Sequence, residues 1–265
     1  MLILKTRVIT AIVALAIFIP LILIGHLPLT IAAIALAIVA MSEILIMKKM
    51  FLTSFAAIMS YLGVAIITVP QSWLAWLPDH FNRLTTFYLV VILILLHTVV
   101  HKGRFSFDDA GVLILGMLYI GMGFNAFIQA RAVGFTTLLY GMLIVWLTDS
   151  GAYIFGRQFG KHKLAPKVSP NKTIEGSVLG TIFATVILAI YLLFFHVGYD
   201  NYFMMVLATL LLSIFGQFGD LIESALKRYY GVKDSGKILP GHGGILDRFD
   251  SMLMVMPALY LLGIV

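Results

Sequence analysis

Nine largely apolar stretches, most of them 17–21 residues long, run through this 265-residue chain. They are Val8–Ile24, Leu29–Met47, Phe51–Val69, Leu84–Val100, Val112–Ala130, Thr136–Leu147, Ser177–His196, Tyr202–Ile222 and Phe249–Val265. An α-helix rises about 1.5 Å per residue, so roughly 20 such residues cross the ~30 Å hydrocarbon core of a bilayer. Membrane β-barrels would instead alternate apolar and polar residues in short strands. The expected fold is therefore all-α, a polytopic integral membrane protein with about nine transmembrane helices. Composition agrees. Residues are 61% hydrophobic and only 11% charged, against about 25% charged in a soluble domain, and the mean hydropathy is +1.04. The chain has no Cys, which excludes disulfides. Lys5 and Arg7 precede the first stretch as they would in a signal peptide. Its run is longer than a signal core and lacks an Ala-x-Ala-like site, so it is expected to remain a helix. The sixth stretch is short and could begin nearer Ala132.

Charge sets the expected orientation. With the N-terminus cytoplasmic and nine crossings, the inside segments hold Lys5 and Arg7, Lys48 and Lys49, and Lys102 and Arg104. They also hold the basic residues of 157–172 and 227–248, which brings the total to 16 of the 18 Lys and Arg; only Arg83 and Arg131 fall outside. This positive-inside bias predicts a C-terminus on the outer side. The formal charge of +6 is thus accounted for by topology, and no nucleic-acid partner is expected. Trp73 and Trp76 flank an external loop, as interfacial aromatics do.

Polar residues divide the chain unevenly. Eight of the 12 acidic residues lie between Asp149 and Asp250. Residues 1–148 read as a scaffold of transmembrane helices, and 149–265 as a catalytic transmembrane region with two cytoplasmic loops, about 150–176 and 223–248. Within the scaffold, Glu43 sits one turn from Lys48 and can snorkel, pair there or line a cavity. His97, His101 and the Asp108–Asp109 pair read as interfacial.

On a helix, Asp220, Glu223, Ser224 and Lys227 share one face. Asp247, Asp250 and Ser251 repeat that spacing at the start of the last stretch, on an antiparallel neighbour. Carboxylates so placed can hold Mg²⁺, which takes a few carboxylates and fills its shell with water and phosphate oxygens. The plain alternative is helix capping by Asp247 and Asp250 and surface pairing of Asp220 with Lys227. Between the two groups lies Leu239-Pro-Gly-His-Gly-Gly-Ile245, a turn able to aim backbone N–H groups at an oxyanion. His242 can serve as base, phosphate donor or turn residue. The earlier loop carries Asp149, at the end of the sixth stretch, then Arg157, Lys172 and Thr173. There Ser169-Pro-Asn-Lys-Thr-Ile-Glu opens the seventh helix with Thr173 as its cap. Arg157 and Lys172 suit phosphates, or anionic lipid headgroups in general.

The run from Ser224 to Asp250, S-x-x-K-R-x-x-x-x-K-D-x-G-x-x-L-P-G-H-G-G-x-x-D-R-x-D, resembles the signature of phosphatidate cytidylyltransferases, or CDP-diglyceride synthases. The D-S-G-A-Y-x-x-G-R-x-x-G-K-x-x-L-x-P-x-V-S-P-x-K-T-x-E-G run from Asp149 is similar to a second block of that family. The two runs cover about two-fifths of the chain. The resemblance implies cytidylyl transfer from CTP to phosphatidic acid, giving CDP-diacylglycerol and pyrophosphate, with Mg²⁺ as cofactor and room for a second cation. It implies Asp220 and Asp247 as principal metal ligands and Asp250 as a further one. Lys227 and Arg228 would grip phosphates with Ser224 and the 240–244 backbone. Asp149, Arg157, Lys172, Thr173, Lys233, Asp234, Gly241, His242, Gly243, Gly244 and Arg248 would bind substrate. The setting implied is a bacterial inner membrane with the site facing the cytoplasm, membrane lipids as surroundings and a homodimer as one option. A secondary transporter is the main rival, but no internal repeat is present and the charges gather at one boundary rather than at midplane. A CDP-alcohol phosphotransferase would need a D-G-x-x-A-R-type motif, which is missing.

Overall fold

The structure, a computed structural model, describes residues 2–78, 80–101 and 103–265, with side chains from Arg7 onward. Lys102 and the side chain of Lys5, both part of the charge asymmetry, lie outside the described residues. The chain is mostly helical. Its elements run α1 (Leu2–Ile24), α2 (His26–Met47), α3 (Phe55–Thr68), α4 (Arg83–Val100), α5 (Phe107–Val133), α6 (Phe135–Phe159), β1 (Lys163–Ala165), β2 (Ser169–Thr173), α7 (Ile174–Phe194), α8 (Tyr202–Tyr229), α9 (Leu246–Phe249) and α10 (Met252–Leu261). Among the described residues, seven helices (α1, α2 and α4–α8) are long and apolar enough to cross a membrane, whereas α3 and α10 are shorter.

Local chemistry explains where several elements start. Ser54, Asn82, Thr173 and Asn201 each accept a hydrogen bond from the backbone N–H three residues on, capping α3, α4, α7 and α8. Such caps meet N–H groups that have no partner inside the helix. At α5, Ser106 N donates to Asp109 Oδ2 (2.8 Å) while Asp109 N donates to Ser106 Oγ (3.1 Å), a reciprocal cap.

Four expectations change. The third stretch loses its first turn, because the chain enters α3 only at the Ser54 cap. The sixth stretch continues as helix to Phe159, so Asp149 lies within α6 rather than at its end. Ser169–Thr173, read as loop leading to the Thr173 cap, forms β2, paired antiparallel with β1; Pro170 has no N–H to give and is tolerated at the edge of a two-stranded sheet. The last stretch breaks at Asp250 and Ser251, between the single turn of α9 and the start of α10. Asp247, Asp250 and Ser251 therefore do not share one continuous helical face.

The chain forms two compact units. Unit 1 comprises residues 1–128 and 234–247, and unit 2 comprises 129–233 and 248–265. The division by packing thus falls ahead of the division by polarity at 148/149, and it assigns the glycine-rich loop to unit 1. In unit 1, α3 packs on both α2 and α4. Arg83 donates to Val69 O (2.7 Å), and Asn125 Nδ2 donates to Thr68 O (2.9 Å), so side chains satisfy the carbonyls that end α3. His97 stacks among Phe55, His101 and Phe105.

In unit 2, α6 and α7 make the closest helix pair. A Cβ built on Gly180 would lie 2.6 Å from Ala152 N and 2.8 Å from Thr148 O, and one on Gly176 would lie 2.8 Å from Gly156 Cα. Small residues let membrane helices pack backbone to backbone, where dispersion replaces the missing hydrophobic drive. Gly180→Val is expected to force α6 and α7 apart, costing about 1–3 kcal/mol or more. The check is the thermal melting of the detergent-solubilised protein, and an unchanged melting temperature would count against this packing.

Candidate active site

A polar stripe climbs α8 inside unit 2. Thr209, Ser213, Gln217, Asp220 and Ser224 recur three or four residues apart and so share one helical face. Tyr140 OH and Thr209 Oγ1 lie 2.8 Å apart, as do Thr148 Oγ1 and Ser213 Oγ. Ser213 Oγ donates to Thr181 Oγ1 (3.1 Å), and Gln217 Nε2 donates to the same oxygen (2.7 Å). Ser177 Oγ bonds Gln217 Oε1. Hydrogen bonds between apolar helices substitute for absent water and hold α6, α7 and α8 in register. The sequence reading passed over this seam, although its spacing of three and four in an apolar helix was the available signal.

The seam leads to charge. Lys172 Nζ, at the end of β2, lies 2.6 Å from Asp220 Oδ2. Ser224 Oγ donates to Asp220 Oδ1 at 3.2 Å. Asp149 of α6 and Asp250 are both close enough to Asp220 to interact with it electrostatically. Asp250 reaches this position because residue 219 is glycine: a Cβ there would meet Asp250 O at 2.6 Å and Ser251 Cα at 2.9 Å. The β1–β2 hairpin supplies Lys172, and Thr173 caps α7 through Gly176 N (3.2 Å). Glu175 receives the N–H groups of Lys161 and His162 and the His162 ring, tying down the hairpin's entry.

The site residues read from the sequence thus fall into separate groups. Asp149, Lys172, Asp220, Ser224 and Asp250 come together in unit 2. Lys227 pairs with the buried Glu223 at 2.5 Å rather than with Asp220. Arg228 Nε donates to Val168 O (3.3 Å), bracing the hairpin. Arg157, Lys233, Asp234 and Arg248 are exposed.

Asp247 and the glycine-rich loop form a second group, within unit 1. Asp247 Oδ2 accepts from Ser235 N (2.8 Å) and Gly244 N (2.8 Å) and lies 2.9 Å from Ser235 Oγ. The loop does not offer the run of N–H groups to an oxyanion that its glycines suggest. His242 N and Gly243 N both donate to Leu239 O, at 2.8 and 3.1 Å. Gly241 and Gly243 adopt φ of 77° and 89°, the left-handed turn that this closure requires. The carboxylate of Glu43 on α2 receives the N–H groups of Ile245 and Leu246. Glu43 does not pair with Lys48, which lies 2.7 Å from Asp109 Oδ1.

Among the described residues, no three His, Cys, Asp or Glu side chains gather closely enough to hold a metal ion by themselves. The unit 2 group nevertheless has more negative than positive charge. Asp250 stands in the turn ahead of α10. Its Oδ1 accepts from Ser251 N at 2.6 Å, and Asp220, Asp149 and Lys172 are its charged neighbours.

The sequence profile described as the Cytidylyltransferase family matches residues 5–265. The chain belongs to that family. The phosphatidate cytidylyltransferase of Staphylococcus haemolyticus is 48% identical over 258 residues, covering 97% of this chain and 98% of the relative. Proteins of the same name from Staphylococcus aureus (strain COL) and Staphylococcus epidermidis are each 46% identical over the same coverage.

Proposed function

We propose that this multi-pass membrane protein transfers the cytidylyl group of CTP to phosphatidic acid, releasing pyrophosphate and forming CDP-diacylglycerol for phospholipid synthesis. One observation carries the substrate assignment: near-full-length similarity, at 46–48% identity, to relatives named phosphatidate cytidylyltransferase. The Asp149–Lys172–Asp220–Asp250 group supports the chemistry.

A phosphate oxygen of the lipid attacks the α-phosphorus of CTP. A new P–O bond forms as the bond to the β-phosphate oxygen breaks, and the electron pair leaves with pyrophosphate. The lipid phosphate is itself the nucleophile, so no covalent enzyme intermediate is needed. Such transfers depend on positioning and charge neutralisation. Lys172 supplies positive charge beside Asp220, and Arg157, Arg228, Lys233 and Arg248 are exposed cations available to phosphate oxygens or to the headgroup. Lys227, tied to Glu223, keeps that buried carboxylate neutralised.

The donor set fits Mg²⁺. Asp220 and Asp250 are hard oxygen ligands short of positive charge, and the ion prefers one or two carboxylates with water and substrate phosphate completing its octahedron. These two residues would hold it, with Asp149 next to them, and when bound it supplies charge neutralisation on the phosphate oxygens. Asp247 takes a different part in this proposal, because its Oδ2 is committed to Ser235 and Gly244. It anchors the loop.

The charge asymmetry supports an N-terminus in the cytoplasm and a C-terminus outside, with nine crossings in which α3 and α10 are completed by their flanking turns. CTP would then meet the 157–172 and 227–248 segments on the cytoplasmic face of the cell membrane, where their basic residues also face anionic lipid.

The test is pyrophosphate release by purified protein in phosphatidate-containing micelles. Release is expected to require CTP, phosphatidate and Mg²⁺ together, and Asp220→Asn is expected to lower it about 100-fold or more. CTP turnover without lipid, or no turnover by folded protein, would overturn the assignment.

A further inference from the structure

Glu43 is a carboxylate buried in the apolar half of the chain. It lies on α2, is 2% exposed, and among the described residues no Lys or Arg pairs with it. It faces instead a fan of donors from the glycine-rich segment of its own unit. Its Oε1 accepts from Ile245 N at 2.7 Å, and its Oε2 accepts from Leu246 N and Ser235 Oγ at 2.9 Å each. Two glycines make room for it. A Cβ on Gly244 would come within 2.4 Å of Oε1, and one on Gly236 within 2.7 Å. The same Ser235 hydroxyl lies 2.9 Å from Asp247 Oδ2, so Glu43, Ser235 and Asp247 form one network across the two ends of the 235–247 segment. Arg7 of α1 adds a packing contact, since a Cβ on Gly241 would meet its Cγ at 2.7 Å.

We propose that Glu43 is a positioning residue for the proposed reaction: its carboxylate serves as the template on which the 235–247 loop closes, and so fixes the place of His242 and Asp247. A carboxylate among apolar helices is costly and persists where it serves a purpose. Here that purpose is to replace water for three donors of the 235–247 segment, two of them the backbone N–H groups of Ile245 and Leu246 at the entry to α9. A carboxylate suits the position better than an amide because it only accepts. Glutamine would keep one acceptor and turn an N–H₂ group toward Leu246 N or Ile245 N, setting donor against donor. The glycines of this loop thus serve two ends, since some permit the turn and others, Gly236 and Gly244, admit a side chain from α2.

The structural half of this proposal stands without the enzymatic reading, and the kinetic half rests on it. The experiment compares wild type, Glu43→Gln and Ser235→Ala, full-length in detergent, by hydrogen exchange of peptides covering 234–247, with peptides of α6 and α7 as reference. Glu43→Gln is expected to speed exchange at 235, 245 and 246 about tenfold or more while the reference peptides stay unchanged. Ser235→Ala, which removes only a hydroxyl, should do the same more weakly, and it decides the matter if the Glu43 variant fails to fold. In the micellar assay, Glu43→Gln is expected to raise KM for CTP about tenfold or more, with a smaller change in KM for phosphatidate. Unchanged exchange in 234–247, or equal loosening of every peptide, would overturn the positioning role. Local loosening with kinetics like wild type would confine Glu43 to loop stability and overturn its part in the reaction. A wild type without CTP-dependent activity would overturn the enzymatic reading, and the exchange comparison would still decide the loop.

Discussion

A carboxylate set among apolar helices has to be met by a cation or by a full set of hydrogen-bond donors, because hydrocarbon offers neither. Both solutions occur in this chain. Asp220 is met by Lys172 and the hydroxyl of Ser224, whereas Glu43 is met by two backbone N–H groups and a serine. Each arrangement recruits a segment without helical structure. The β1–β2 hairpin delivers Lys172, and the 235–247 loop wraps its donors around Glu43. The irregular segments are ordered because helix-borne carboxylates need what they carry.

The two solutions leave different chemistry behind. Donors saturate Glu43, so it has little left to offer a ligand and acts by shaping the loop. The group around Asp220 is left incomplete. Lys172 is the cation placed among three acidic side chains, Asp149, Asp220 and Asp250. A protein that binds a polyphosphate with a divalent ion is served by such a deficit, since the arriving ion makes it good. Close glycine contacts keep the deficit in place. Gly219 seats the Asp250 turn on α8, and the Gly176–Gly156 and Gly180–Ala152 approaches hold α6 against α7.

Much of this was legible beforehand. The apolar stretches located the helices, since spanning length and composition are local properties, although α6 and α8 run on past Leu147 and Ile222 to Phe159 and Tyr229. The pairing of Asp220 and Ser224 followed from a helical spacing of four, and Thr173 stands at its cap as read. The Gly-His-Gly-Gly turn was recognisable as a turn, but its N–H groups were read as available to phosphates. In the folded chain those of His242 and Gly243 go to Leu239 O and that of Gly244 to Asp247, while the next two, of Ile245 and Leu246, go to Glu43, which no local pattern discloses. Glu43 itself was left open between snorkelling, pairing with Lys48 and lining a cavity, and its partners lie some 200 residues away.

The sequence by itself determined the class of fold, the two polar segments and the family, because hydrophobic length and motif spacing are written along the chain. Tertiary structure decided which carboxylates would share a charge deficit and which would be filled by donors. That choice depends on which backbone groups folding leaves unpaired nearby. It gave Asp247 the N–H groups of Ser235 and Gly244, and it brought the one acid of α2, in sequence a plain apolar span, against the N–H groups of Ile245 and Leu246.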